Sequence, residues 1–244
     1  MGARLDQWIA DNGHAPSRSR ARDLVLSGCV WVNGARAVKP ARSIRECDRV
    51  EVDAHAASRV SRAAIKLEAA LDAFERDPSG ALALDVGAST GGFTQVLLER
   101  GAKQVIAVDV GRDQLHADLV ADPRVVSIEQ RDARKLTRAD VPGRVTVLTA
   151  DVSFISLRSA LPVALDFVAP GGWLVALIKP QFEVGPAGVG KGGVVRDRNV
   201  AEQAVRDVHA WFDTRPGWQA SDPIPSPILG SDGNREFLIA ADRL

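Results

Sequence analysis

Apolar positions in the first fifty residues change period once. Leu5, Trp8 and Ile9, and then Ala21, Leu24 and Val25, recur at the spacing of one helical face. Pro16-Ser17 precedes the second set, where the serine hydroxyl can accept a backbone N–H and start a helix, and Gly28 can end it. The period then shortens. "CVWVNGARAV" is an apolar strand entering Asn33-Gly34, a pair that favours a tight hairpin turn, and "DRVEV" is a further strand. The pattern predicts a small α+β domain over residues 1–53, followed by a small-residue linker over 54–60 that contains "AHAAS".

From residue 61 the pattern becomes regular. "SRAAIKLEAALDAFERD" predicts a helix whose apolar face holds Ile65, Leu67, Ala70, Leu71 and Phe74. Short apolar strands then alternate with helices: "ALALDVG", a helix from Gly92, "QVIAVDV", a helix near 113–120, "VVSIEQ", "VTVLTADV", a helix near 155–168, and "WLVALIK". Near-continuous apolar runs separated by crossovers are what a parallel sheet covered on both faces requires. A helix near 199–212 precedes "WQASDPIPSPI" and "REFLIAAD", which are close enough in sequence to pair as an antiparallel hairpin. Residues 61–244 are therefore expected to form an α/β, Rossmann-like domain, a parallel sheet with a C-terminal antiparallel hairpin. That arrangement resembles the S-adenosylmethionine-dependent methyltransferases.

Composition narrows the classes. In 244 residues, 45% hydrophobic, no apolar run reaches the roughly 18 to 20 residues of a membrane span, and no charged-then-apolar leader opens the chain, so the expected location is cytoplasmic. Cys29 and Cys47 have neither metal-ligand spacing nor a histidine cluster beside them, and no metal site is expected. Net charge is zero, yet residues 1–45 carry eight lysines and arginines against three aspartates. Such asymmetry suggests a basic module that finds a polyanion. With its helices, glycine stop, "VWVNG" and "VKPAR", residues 1–53 resemble the ribosomal S-four-type RNA-binding domain. The resemblance implies RNA phosphates held by Arg4, Arg18, Arg20, Lys39 and Arg42, contacts that set affinity and position rather than sequence choice. Arg62 extends that set.

"LDVGASTGGFT" is the turn from the first strand of the α/β domain into a helix. Its glycines let the backbone approach a ligand, but their spacing is G-x-x-x-G-G, and Ser89 stands where a dinucleotide fingerprint has its second glycine. Asp109, 24 residues after Asp85, ends the second strand and can accept ribose hydroxyls; Asp132, after the third, can accept an adenine amine. Together they predict an adenosine site without a pyrophosphate, and S-adenosylmethionine fits it. The candidate cofactor residues are Asp85, Gly87, Ala88, Ser89, Gly91, Gly92 and Phe93, with Asp109, Val110, Asp132 and Ala133 from the next two strand ends.

The methyl acceptor is narrowed by elimination. After the fourth strand, Asp151-Val152-Ser153-Phe154 lacks the prolines of the base-amine motif, and no cysteine in this domain can attack a cytosine carbon. What remains at the strand ends is Asp151, Lys179 and Glu236, with Lys66 on the preceding helix. A hydroxyl acceptor needs a group to take or stabilise its proton and fixed charges to orient it, and a ribose 2′-hydroxyl is the natural one. Lys179 is the candidate base or alkoxide stabiliser, Lys66 opposes its protonation, and Asp151 and Glu236 hold both ammonium groups. The carboxylates act the opposite way on the lysines, so which lysine is the base stays open. Gly185, followed after four residues by Gly190-Lys191, imitates a nucleotide-triphosphate loop, but Gly192 stands where a magnesium-binding Ser or Thr belongs. Lys191 is better read as an RNA phosphate contact on a mobile glycine loop.

Lys66, Asp151, Lys179 and Glu236 match the Lys-Asp-Lys-Glu tetrad of the FtsJ-like ribose methyltransferases. "VSRAAIKL", "DVGASTGGFT", "DVSFISL", "IKPQFEVG", "GKGGVVRD" and "SPILGSDGNREF" stand in the order of the TlyA family, which the chain resembles over residues 3–240, with Ala63 in place of a common glycine. The resemblance implies 2′-O-methylation of cytidine in ribosomal RNA of one or both subunits; no obligate protein partner is expected. Three alternatives stay open: a membrane-lytic protein, because the family also carries haemolysin labels; a nucleotide hydrolase; and a non-enzymatic RNA-binding protein, which would not need the four charged residues.

Overall fold

The structure, a computed structural model, describes residues 2–185, 188–190 and 192–244, and the chain divides into two units, Met1–Arg62 and Ala63–Leu244.

The first unit contains β1 (Ala3–Arg4), α1 (Leu5–Asp11), α2 (Arg18–Leu26), β2 (Val30–Val32), β3 (Ala35–Arg36), β4 (Ser43–Ile44), β5 (Val50–Val52) and α3 (Ala54–Ser58). Leu5 and Ile9 of α1 and Ala21, Leu24 and Val25 of α2 are buried, as the helical spacing predicts, and Val30 and Val32 of β2 join them. Ser17 Oγ accepts the Arg20 N–H at 3.2 Å and caps α2. The Asn33-Gly34 turn pairs Trp31 with Arg36, and β5 adds to the other side of β2. Residues 54–58, expected in a linker, form α3 because the Asp53 carboxylate accepts the His55 and Ala56 N–H groups at 2.9 and 3.1 Å.

The second unit contains α4 (Ala63–Ala73), β6 (Leu82–Val86), α5 (Gly92–Glu99), β7 (Gln104–Val108), α6 (Ala117–Val120), β8 (Val125–Ile128), β9 (Val145–Ala150), α7 (Leu157–Ala160), α8 (Pro162–Leu165), β10 (Val168–Ile178), α9 (Pro180–Glu183), α10 (Arg198–Asp213), β11 (Trp218–Ala220), β12 (Ile224–Pro225) and β13 (Phe237–Arg243). The sheet order is β11-β13-β10-β9-β6-β7-β8, parallel from β8 to β10, with β13 antiparallel to both β10 and β11. β12 pairs with β13 beyond β11. The expected hairpin therefore closes one edge.

Central strands are buried over most of their length because both sheet faces are covered, which is why they read as near-continuous apolar runs. The expected helix over 155–168 is two short ones: Pro162 has no N–H to continue α7 and starts α8 instead. On α4 the buried face is Ala64, Lys66, Leu67, Ala70 and Leu71. Ile65, assigned to that face from the sequence, is only half-buried, and a lysine takes the inward position. Leu67 and Leu71 each contribute roughly 1.5–3 kcal/mol by burial, enough to hold the helix with Lys66 inside.

Candidate active site

Strand direction decides where chemistry collects. β6, β7, β9 and β10 end at one edge of the sheet and β13 begins there, with Phe237 opposite Ile178. Gly87, Asp109, Asp151 and Lys179 immediately follow those strand ends, and Glu236 immediately precedes β13. Five positions far apart in sequence share that edge.

Among the ends of β6, β7 and β9 lies a cavity of about 490 Å3. Of the candidate cofactor residues, Gly87, Ser89, Asp109, Val110, Asp132 and Ala133 line it. The others do not: Ala88, Gly91, Gly92 and Phe93 are buried in the turn and the start of α5, and Asp85 has no exposed surface. Gly87 has φ +80°, and a Cβ on it would stand 2.5 Å from the Asp151 carbonyl oxygen, so the turn after β6 closes on the β9 loop only with glycine. Asp109 Oδ2 accepts the Ser89 N–H at 2.8 Å and Oδ1 the Gly111 N–H at 2.7 Å, fixing two cavity walls while each oxygen keeps a lone pair. Asp132 is less available. Arg134 donates to both of its oxygens, the closest contact being 2.6 Å, and these bonds hold the carboxyl down at about 2. An adenine amine would have to displace Arg134 to reach it.

Asp85 lies beneath the cavity. It accepts hydrogen bonds from Thr94 Oγ1 at 2.7 Å and Thr149 Oγ1 at 2.8 Å. Burial pushes its carboxyl up to about 6; the two hydroxyls oppose the shift and the Asp151 charge adds to it. Its position corrects the sequence assignment: Asp85 supports the turn and does not meet a ligand in the cavity.

The four charged candidates form two pairs. Lys179 Nζ lies 2.7 Å from Asp151 Oδ1 and donates to Ser153 Oγ at 2.8 Å. Both Asp151 and Ser153 line the cavity. An ammonium has three donors, so one remains for a substrate oxygen. Lys66 pairs with Glu236, the side chains 8% and 4% exposed. Removing one partner alone would strand a buried charge at roughly 3–5 kcal/mol. This second pair therefore fastens α4 to the start of β13.

The RNA candidates differ in availability. Lys39 and Arg42 are exposed, and no side-chain partner holds them among the described residues. Arg4 donates to Asp6 at 3.0 and 2.8 Å and Arg18 lies 3.3 Å from the same carboxylate; Arg4 above all holds Asp6 below the usual carboxylate range. Arg62 is mostly buried and 3.8 Å from Asp23. Arg20 is a correction. It is 8% exposed, and its Nη2 donates to the Ala56 and Arg59 carbonyls at 2.7 and 2.8 Å, tying α2 to α3 and the residue after it. Lys191 lies outside the described residues.

Three residues escaped the sequence assignments. Glu129 accepts N–H groups of Asp113, Gln114 and Leu115 at 2.6, 2.9 and 3.3 Å, which shapes the loop after β7. Arg36 lies over the Trp31 ring, 5.9 Å from its centre. Phe154 lines the cavity with φ +65°, is 92% exposed, and packs 5.2 Å from Phe182. An aromatic in the fourth place of Asp-Val-Ser-Phe was the available signal for it.

Among known families, the one described as FtsJ-like methyltransferase matches residues 59–243, and the S4 domain matches residues 3–50. The 16S/23S rRNA (cytidine-2'-O)-methyltransferase TlyA of Mycobacterium tuberculosis is 44% identical over 97% of this chain and 88% of its own. A solved Streptococcus thermophilus protein named for a hemolysin superposes with a TM-score of 0.75 at 38% identity, covering 99% of this chain and 88% of that one. Hemolysin and methyltransferase names thus fall on one family. The O-methyltransferase TomG of Streptomyces achromogenes, solved in complex with SAM, shares the fold, with a TM-score of 0.53 at 18% identity over 77% of this chain and 82% of that one. The chain belongs to the FtsJ-like methyltransferase family, in the TlyA group that joins an S4 domain to the methyltransferase fold.

Proposed function

We propose that the chain methylates the ribose 2′-hydroxyl of a cytidine in ribosomal RNA, using S-adenosylmethionine, on ribosomal subunits in the cytoplasm. One observation carries the reading: a lysine with a donor to spare is held by Asp151 and Ser153, two residues that line a cavity suited to an adenosine ligand.

The donor set of the cavity fits S-adenosylmethionine. Three carboxylates line it, Asp109, Asp132 and Asp151, and its two guanidiniums, Arg131 and Arg134, are already paired with Asp140 and Asp132. A triphosphate would find no unpaired cation among the described lining residues; with Asp132 paired to Arg134 and Asp151 to Lys179, Asp109 is left as the uncompensated carboxylate, a charge that favours a cationic ligand. Asp109, with a lone pair left on each oxygen, would accept the ribose hydroxyls, and Gly87 leaves room beside Asp151. When bound, S-adenosylmethionine supplies a methyl that leaves its sulfur as the new carbon–oxygen bond forms.

The protein's part is placement and charge. Lys179 directs its remaining N–H at the 2′-oxygen and stabilises the negative charge that develops there. The hydroxyl proton leaves through the Lys179–Asp151 couple, whose carboxylate is the acceptor. Ser153 keeps the ammonium from swinging away. Phe154 offers an exposed ring for a base to stack on. Exposed Lys39 and Arg42 hold RNA phosphates from the S4 domain. Lys179→Ala is expected to slow methyl transfer to unmodified subunits by about 10² or more, with the affinity for S-adenosylmethionine nearly unchanged. Full activity in that variant would remove Lys179 from the reaction.

A further inference from the structure

A second cavity in the methyltransferase unit has no role in the reaction described above. It measures about 450 Å3 and is lined by Glu236 and by Pro180, the residue after Lys179, so it adjoins the reacting groups. Its walls are of two kinds. Pro225, Leu229 and Phe237 give apolar surface, with Leu229 more than half exposed, while Arg196, Arg198 and Arg235 give charge.

The charges do not cancel. Arg198 is paired with Glu202 at 2.6 Å, and Glu236 is paired with Lys66. Arg196 and Arg235 are exposed and have no acidic partner among the described residues. They are brought together from distant parts of the chain by Asn234, which is 1% exposed. Its Oδ1 accepts the Val195 N–H at 2.9 Å and its Nδ2 donates to the Gly193 carbonyl at 2.9 Å. Arg196 follows Val195 and Arg235 follows Asn234, so this buried amide sets two arginines at the mouth of one cavity. The backbone is equally constrained on the other side. A Cβ on Gly230 would come 2.5 Å from Glu236 Oε1, so the loop that supplies Leu229 closes directly onto the carboxylate. Two like charges that line one cavity without an acidic partner repel, and an anion between them relieves this.

We propose that this cavity seats the nucleotide adjoining the methylated one, with its phosphodiester held by Arg196 and Arg235 and its base or sugar against Pro225, Leu229 and Phe237. The proposal rests on the ribose-methylation reading and adds where the flanking RNA binds. The test is equilibrium binding of the full chain to unmodified ribosomal subunits across a range of KCl concentrations. Each phosphate contact contributes about 0.7–0.9 to the slope of log K against log salt, so Arg196→Gln with Arg235→Gln should flatten the slope by roughly 1.5. Affinity for S-adenosylmethionine should not change. Arg196→Lys with Arg235→Lys should keep the wild-type slope, since a phosphate needs only the charge. A wild-type slope in the glutamine variant overturns the proposal, and so does an equal loss in the lysine variant, which would mark a structural role. Because the slope is read from binding alone, it decides the cavity's role separately. A wild-type chain that binds subunits and methylates no ribose overturns the methylation reading instead.

Discussion

Asp85→Asn is the substitution whose effect follows most directly from the geometry beneath the cavity at the ends of β6, β7 and β9. Asp85 has no exposed surface, and its carboxyl is raised from 3.8 to about 6, chiefly by burial. A carboxyl raised in the fold favours folding in its neutral form. Below about pH 4 both folded and unfolded chains carry it protonated, and it brings no penalty. Between about pH 4 and 6 the unfolded chain ionises first and stability falls; above about pH 6 the full penalty applies. A shift of about two units at 1.36 kcal/mol each amounts to about 3 kcal/mol. Asparagine keeps the shape, can still accept a hydrogen bond from a threonine hydroxyl, and does not ionise. The variant should therefore match the wild type near pH 4 and exceed it near pH 7.5. For a unit of this size the gain corresponds to roughly 6–12 °C in Tm. Calorimetric melts of both chains across that range provide the comparison. Parallel curves, or a variant less stable at the higher pH, would refute the assignment of a buried, desolvated carboxylate.

Arg20→Ala should destabilise the first unit by about 2 kcal/mol, because it strips two buried carbonyls of their donor. The salt slope of RNA binding should be unaffected, and a flattened slope would return Arg20 to the phosphate contacts. Phe154→Ala should leave the melt unchanged, since the ring is 92% exposed, yet weaken productive RNA binding by about 1–3 kcal/mol if a base stacks there. Unchanged kcat/KM for unmodified subunits would exclude that stacking.

Much of this was legible in the sequence because the features were periodic or stood at strand ends. Unbroken apolar runs marked the parallel strands, and Asp109, Asp151, Lys179 and Glu236 lie where those runs stop or start. What escaped was three-dimensional. Asp85 reads as a strand-end ligand, but Thr94 and Thr149, 9 and 64 residues away, claim its oxygens from inside the core. Arg20 has the same charge as its neighbours, and only the fold of α3 shows that it faces inward. Lys66 took the buried position assigned to Ile65 because its ammonium finds Glu236, 170 residues later. Composition cannot encode such partners. Pro162, by contrast, was legible: a proline within the apolar run over 155–168 ends α7 and starts α8.

The most direct test of ribose methylation is mass mapping of ribosomal RNA from a strain lacking this gene, before and after the gene is restored. The expected result is loss of a 2′-O-methyl from cytidine in one or both subunits, its return with the wild-type chain, and no return with Lys179→Ala. Identical methylation maps in the presence and absence of the gene would contradict the proposed function.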